Sequence, residues 1–251
     1  MLVMGILNVT PDSFADGGRH NDLEAAVARG LEMIAEGVDI IDIGGESTRP
    51  GADRVSEAEE IARTIPVITE LAKHGVRISI DTMRASTAEA AIKAGASIIN
   101  DVSGGLADSE MLQAAARLQV PYIAMHWRGQ SKDMNSKAIY GDVVSDVISE
   151  LNERIEAALD AGIQKDKLII DPGLGFAKDA EHNWAIIDSI DRFVALGYPV
   201  LVGGSRKRFL GGETPDEREQ ATVELTKRLG TTGVWAVRVH SVKPHKEVLS
   251  A

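Results

Sequence analysis

Eight short apolar runs, rich in β-branched residues, recur along the chain, and each gives way to polar residues or glycine. They occupy 2–7, 38–43, 77–80, 97–100, 122–126, 167–171, 200–204 and 235–240. Their starts lie about 33 residues apart on average, the size of a βα unit. Helical spacing fills the intervals. Leu23, Val27, Leu31 and Ile34 share one face, as do Ile61, Ile65, Ile68 and Ala72; Val143, Val147, Leu151, Ile155 and Leu159 form the longest stripe, and Ile186, Ile187, Ile190 and Val194 another. Capping boxes at Ser56…Glu59, Ser86…Glu89 and Thr214…Glu217 mark helix starts, and Gly37, Gly75, Gly95, Gly162 and Gly197 mark stops. Pro66 is expected to kink or restart its helix.

Strict alternation of strand and helix implies a parallel sheet. Eight units suit a closed barrel, and the polar residues at nearly every strand end strengthen that choice: Asn8, Asp42, Asp81, Asn100 with Asp101, His126, Asp171, Ser205, and Arg238 with His240. A doubly wound sheet gathers ligand groups at one switch point, whereas a barrel brings all eight ends around one mouth. The expected architecture is therefore an α/β fold, one single-domain (β/α)8 TIM barrel over residues 1–251. The long Gly-, Pro- and Asp-rich loops 8–21 and 44–55 are expected to be mobile loops of the mouth.

Composition narrows the function. The 251 residues carry a net charge of −11, which argues against general binding to nucleic acid or to an anionic membrane. Cysteine is absent, which excludes disulfides, thiolate metal sites and cysteine nucleophiles. The opening residues have neither a basic segment nor a long apolar run, and no stretch approaches the ~18 apolar residues of a membrane span. The expectation is a soluble, cytoplasmic protein. P-loop, nucleophile-elbow, zinc-protease and EF-hand patterns are all missing, and Gly173-x-Gly175 lacks the third glycine of a dinucleotide fingerprint.

Three strand-end residues, Asp81, Asn100 and Asp171, bring acceptors and an amide to the mouth. Such a set suits a flat heterocycle with an amine beside a ring N–H. A cationic set, Arg49, Arg206, Lys207, Arg208, Arg238 and His240, faces the same end, and GGSRK after the seventh strand occupies a common phosphate-binding position in barrels. An acidic chain that gathers its cations at one mouth focuses a field on an anion. Asn8, Asp12 and Asp42 add oxygen at the first two strand ends, suited to Mg²⁺ held partly by phosphates. Asp42 reads equally well as a structural partner of the second loop.

Taken together, NVTPDSFADGG (8–18), DIGGESTRPGA (42–52), SIDT (79–82), INDVSGG (99–105), MHWRG (125–129), DPGLGFAK (171–178), GGSRKRFLG (203–211) and RVH (238–240) resemble the dihydropteroate synthase family, in that family's order. The resemblance implies a (β/α)8 barrel that condenses 6-hydroxymethyl-7,8-dihydropterin pyrophosphate with p-aminobenzoate. It puts the pterin on Asp81, Asn100, Asp171, Lys207 and Arg238, and pyrophosphate on Asn8, Arg238 and His240, with Mg²⁺ at Asn8. It puts p-aminobenzoate on Phe14, Thr48, Arg49, Pro50, Phe176 and Arg208. Asp12, Arg49, Lys207, Arg238 and His240 are the set implied to carry catalysis. It also implies inhibition by sulfonamides and a homodimer. The alternatives are a catalytically weak pterin-binding paralogue and a pterin-dependent methyltransferase that serves a corrinoid protein. Where the family has Asp after RVH, this chain has Ser241, expected to cap a last helix of about seven residues from Pro244 to Ser250; the alternative is that the family's Asp holds His240, in which case Ser would loosen the pyrophosphate site.

Overall fold

The computed structural model describes the whole chain except residues 11–17, 47–53, 131–133 and 251. Eight parallel strands, β1 (Leu2–Asn8), β2 (Ile40–Gly44), β3 (Arg77–Asp81), β4 (Ile98–Asp101), β5 (Tyr122–Met125), β6 (Leu168–Asp171), β7 (Leu201–Val202) and β8 (Ala236–Val239), form one sheet in the order 6-5-4-3-2-1-8-7. A bridge between Ile170 and Val200, with the Ile170 N–H donating to Pro199 O at 3.0 Å, joins β6 to β7 and closes the ring. This is the expected (β/α)8 barrel. The seventh run is the one most shortened, because Gly203 and Gly204 leave the ladder after two residues.

Strand alternation sorts the side chains into layers. Met4, Ile40, Ile98, Ile123, Ile169, Leu201 and Ala236 form one apolar cluster inside the barrel. Two residues further along the strands, on the same face, stand Asp42, Asn100, Met125, Asp171, Gly203 and Arg238. The opposite faces supply Val3, Ile41, Ile43, Ile78, Ile80, Ile99, Ile170, Val237 and others to the larger core beneath the helices. An apolar floor thus lies under a polar layer at the C-terminal end of the barrel.

The helices are α1 (Gly18–Ala35), α2 (Glu57–Ala72), α3 (Ala85–Ala94), α4 (Met111–Leu118), α5 (Val143–Asp160), α6 (Ala180–Asp188), α7 (Ile190–Val194), α8 (Glu217–Leu229) and α9 (Lys243–Ser250). All five predicted stop glycines adopt positive φ, between 71° and 117°. Ser56 caps α2 as expected, accepting from the Glu59 N–H at 3.2 Å.

Other expectations change in detail. Helix α2 runs unbroken through Pro66. Helix α3 begins at Ala85, one residue before Ser86, because Asp108 from the following loop accepts the Ala85 N–H at 2.8 Å. The stripe of Ile186 to Val194 is divided at Ser189 between α6 and α7. On α1 the buried face is Ala26, Gly30 and Met33, while Leu31 is 37% exposed. A Cβ at Gly30 would lie 2.5 Å from Leu71, so glycine there lets α1 approach α2. Helix α9 begins at Lys243, which puts Val242 at the capping place; the Ser241 hydroxyl instead accepts from Arg206 Nη2 at 2.9 Å.

One buried polar knot pins the β4 end. Asp101 accepts from Ser103 N and Oγ, from Gly105 N and from Tyr122 OH, all at 2.7–2.8 Å. Tyr122→Phe removes one of these charge-assisted bonds in a fully buried place, a loss of about 1.5–3 kcal/mol. Thermal unfolding should show a clear drop in Tm, with ligand affinity at 25 °C close to that of the parent chain.

Candidate functional site at the barrel mouth

Two of the interior carboxylates share one cation. Arg238 on β8 reaches across the barrel, placing Nε 2.5 Å from Asp42 Oδ2 and Nη2 2.6 Å from Asp81 Oδ2. Asn100 Nδ2 donates to the same Asp42 oxygen at 3.1 Å. Burial drives the Asp81 carboxyl well above its ordinary pKa; Arg238 opposes that rise, and Asp42, Glu60 and Asp101 add to it. The Arg238 guanidinium is held firmly charged by Asp42 and Asp81 despite its burial. Asp42 is thus the partner of Arg238 rather than of the second loop. Asp42 Oδ1 and the neighbouring Ser79 Oγ are buried without a hydrogen-bond partner among the described residues, a cost that a polar group reaching the layer would offset.

Asp171 completes the acidic side. Its Oδ1 accepts from Gly173 N at 2.7 Å, while Oδ2 lies toward Gly203, whose Cβ, if it had one, would stand 3.7 Å away. Burial raises this carboxyl, opposed by Gly173, Lys207 and Arg238. The residue is therefore part turn cap and part layer acceptor. Lys207 sits beside it. Burial pulls its ammonium down to about 8, against the attraction of Asp171. Lys207 Nζ donates to Leu174 O and lies 4.5 Å from the centre of the Phe176 ring. Gly175, at φ 74°, makes room for this lysine, since a Cβ would lie 2.8 Å from Lys207 Cδ.

An apolar wall borders the acids. Met83, Val102 and Met125 cluster with Ala107, Trp127 and Phe176. Of these the sequence pointed only to Phe176, yet Met83 and Val102 lie two residues beyond Asp81 and Asn100, a spacing that could have revealed them. Ser205 was read from the sequence only as a strand-end polar group, without its partner. Its hydroxyl accepts from His240 N at 3.2 Å and lies 2.9 Å from His240 Nδ1, which seats the imidazole.

The cations divide. Arg238, His240 and Lys207 stand at the mouth. Arg206 turns away: its Nε pairs with Glu219 at 2.6 Å and its Nη2 with Ser241, in a left-handed backbone at φ 56°. Arg208 is exposed and opens a short 3-10 turn. Asp12, Phe14, Thr48, Arg49 and Pro50 lie outside the described residues. Asn8 Oδ1 flanks Gly44 together with Asp81 Oδ2, within 3.8 and 3.6 Å of the position of a Cβ there. Among the described residues no cluster of three or more His, Asp or Glu could hold a metal. One neutral amide oxygen fits Mg²⁺ as an ion held mainly by phosphate oxygens and water.

Comparisons with known proteins point to one family. A family profile described as pterin binding enzyme matches residues 4–240. The dihydropteroate synthase of Mycobacterium leprae is 47% identical over 257 residues, spanning 98% of this chain and 90% of that protein. The structure of Xanthomonas albilineans dihydropteroate synthase with 4-aminobenzoic acid superposes with a TM-score of 0.93 at 45% identity, covering 99% and 90% of the two chains. The same enzyme in complex with 7,8-dihydropteroate gives a TM-score of 0.90 at 42% identity, covering 99% and 91%.

Asp171→Asn keeps the Oδ1 that caps Gly173 and replaces the layer oxygen with a donor. The folded variant should lose pterin affinity at least tenfold, in line with about 1.5–3 kcal/mol for a charged hydrogen bond. Calorimetry with the pterin substrate measures this, and unchanged affinity would remove Asp171 from the site.

Proposed function

The chain belongs to the dihydropteroate synthase family of pterin-binding enzymes, and on that premise we propose that it condenses 6-hydroxymethyl-7,8-dihydropterin pyrophosphate with p-aminobenzoate. The products are 7,8-dihydropteroate and pyrophosphate. The observation that carries this reading is the make-up of the mouth: a buried acceptor layer bordered by an apolar wall, with Arg238 set among the acids and Lys207 beside Phe176.

The pterin lies flat over the apolar floor, its amine and ring N–H groups donating to Asp81, Asn100 and Asp171. Met83, Val102, Met125 and Phe176 cover its faces and exclude water. Lys207 and Arg238 border the ring. The leaving pyrophosphate points to Asn8, Arg238 and His240. The bond that breaks joins the methylene carbon to a pyrophosphate oxygen, and the electron pair leaves with that oxygen. Electrons of the reduced ring support positive charge at the methylene, while Arg238 and His240 stabilise charge on the leaving group. The aniline nitrogen then attacks the methylene carbon and loses a proton to water. Phe176 and Arg208, with Asp12, Phe14, Thr48, Arg49 and Pro50, hold p-aminobenzoate in line, so its attack is effectively intramolecular. Mg²⁺, held by Asn8 and the phosphates, would neutralise part of the charge that develops on pyrophosphate.

The same reading makes the full chain one catalytic domain, a homodimer and a cytoplasmic protein. Among the described residues no helix is long and apolar enough to cross a membrane. Sulfonamides, which imitate p-aminobenzoate, are its expected inhibitors.

Steady-state turnover with both substrates and Mg²⁺ tests the proposal. It predicts equal release of dihydropteroate and pyrophosphate; pterin binding without turnover would favour the paralogue, and methyl transfer would favour the methyltransferase. Ser205→Ala tests the leaving-group side. Loss of the hydroxyl that seats His240 should lower kcat roughly 2–10-fold, corresponding to about 0.5–1.5 kcal/mol, with little change in the KM for p-aminobenzoate.

A further inference from the structure

Behind the β6–α6 loop lies a buried polar line that the reaction does not use. Lys178 is 8% exposed and His126 1%. The Lys178 ammonium has three donors, and three acceptors surround it: Gly173 O at 3.1 Å, Phe176 O at 3.1 Å and His126 Nδ1 at 2.8 Å. Because Nδ1 accepts, the ring proton of His126 resides on Nε2 and is donated to Glu150 Oε2 on α5, 2.9 Å away. Glu150 in turn receives Arg128 Nε at 3.0 Å, and the Arg128 guanidinium lies 3.8 Å from the centre of the Tyr140 ring.

The same loop is tied down elsewhere. Tyr140 OH donates to Ala177 O at 3.0 Å, Gly175 N donates to Asn183 Oδ1 at 2.6 Å, and Lys207 donates to Leu174 O. Of the five residues 173–177, all but Gly175 thus have their carbonyls held by side chains: Gly173 and Phe176 by Lys178 of the same loop, Leu174 and Ala177 by Lys207 and Tyr140 from outside it. Gly173 is the pivot, with its N–H on the Asp171 carboxylate and its carbonyl on Lys178. Only glycine fits there, since a Cβ would lie 2.5 Å from His126 O.

We propose that Lys178 is a positioning residue for the pterin: by holding the carbonyls of Gly173 and Phe176 it sets the place of the Asp171 carboxylate and the Phe176 ring, and His126 with Glu150 sets the place of Lys178. The proposal rests on reading Asp171 as a pterin acceptor. Burial pulls the Lys178 ammonium down to about 7, with Asp171 and Glu150 favouring its charge and Lys207 and Arg128 opposing it. Burial likewise takes His126 down to about 4, in keeping with a neutral imidazole that accepts from the lysine.

The test is Lys178→Met in the full chain, with KM for the dihydropterin pyrophosphate, saturated kcat and Tm measured together. The expected result is a KM raised tenfold or more with kcat within threefold. A merely structural role would reduce the folded fraction, lowering apparent kcat and leaving KM alone; a KM within threefold in the folded variant overturns the proposal. Should that variant fail to fold, His126 decides. His126→Asn keeps an acceptor where Nδ1 stands and should hold KM within threefold, whereas His126→Leu should raise it tenfold, and equal values overturn the proposal. Asp171→Asn separates the two readings. If it leaves KM unchanged, the assignment of Asp171 falls and this inference with it; if it raises KM while Lys178→Met does not, only this inference falls.

Discussion

The guanidinium of Arg238 makes an acidic barrel interior tenable. Asp42, Asp81 and Asp171 face it from three strands, and Asp42 is fully buried. Without a cation between them, like charges in a poorly solvated layer would drive protonation or unfolding. Buried pairs of this kind add little net stability, because desolvation offsets most of their attraction. Their value here lies in a fixed arrangement of acceptors and one donor fork, held over a rigid apolar floor. Such an arrangement is complementary to a ligand rich in N–H groups.

The loops that frame the mouth are fastened by charge knots outside the interior. Arg84, two residues past Thr82, donates to Glu46 at 2.8 Å, to Val55 O at 2.6 Å and to the buried Glu60, while Arg54 pairs with Glu46 at 2.9 Å. Both described ends of the 44–55 segment are thereby tied to the start of α3. The β6–α6 loop is fastened by Lys178, Lys207 and Tyr140. Acids and one arginine fill the layer inside the barrel, and ion pairs around it fasten the segments that frame the mouth.

Much of this was legible in the sequence because parallel strands obey a period of two. Ile40 with Asp42, Ile98 with Asn100, Ile169 with Asp171 and Ala236 with Arg238 each put an apolar residue in the floor and a polar one above it. Stop glycines were equally readable, since positive φ is a local requirement. Partnerships were not. Arg238 meets Asp42 and Asp81 across separations of 196 and 157 residues, and no local pattern chooses those partners over pyrophosphate. Arg206 looked like a cation of the mouth until its left-handed backbone turned it to Glu219 and Ser241. Leu31 lies on the apolar stripe of α1 but outside the narrower face that packs on Leu71, because Gly30 decides the approach.

The most direct measurement is a crystal structure of the chain with 7,8-dihydropteroate bound. The account predicts the pterin ring in the barrel mouth, its amine edge within hydrogen-bonding distance of Asp171 and of Asp81 or Asn100, its faces against Met125 and Phe176. A pterin ring seated away from these acids, with the Asp42–Arg238–Asp81 layer untouched by any ligand atom, would contradict it.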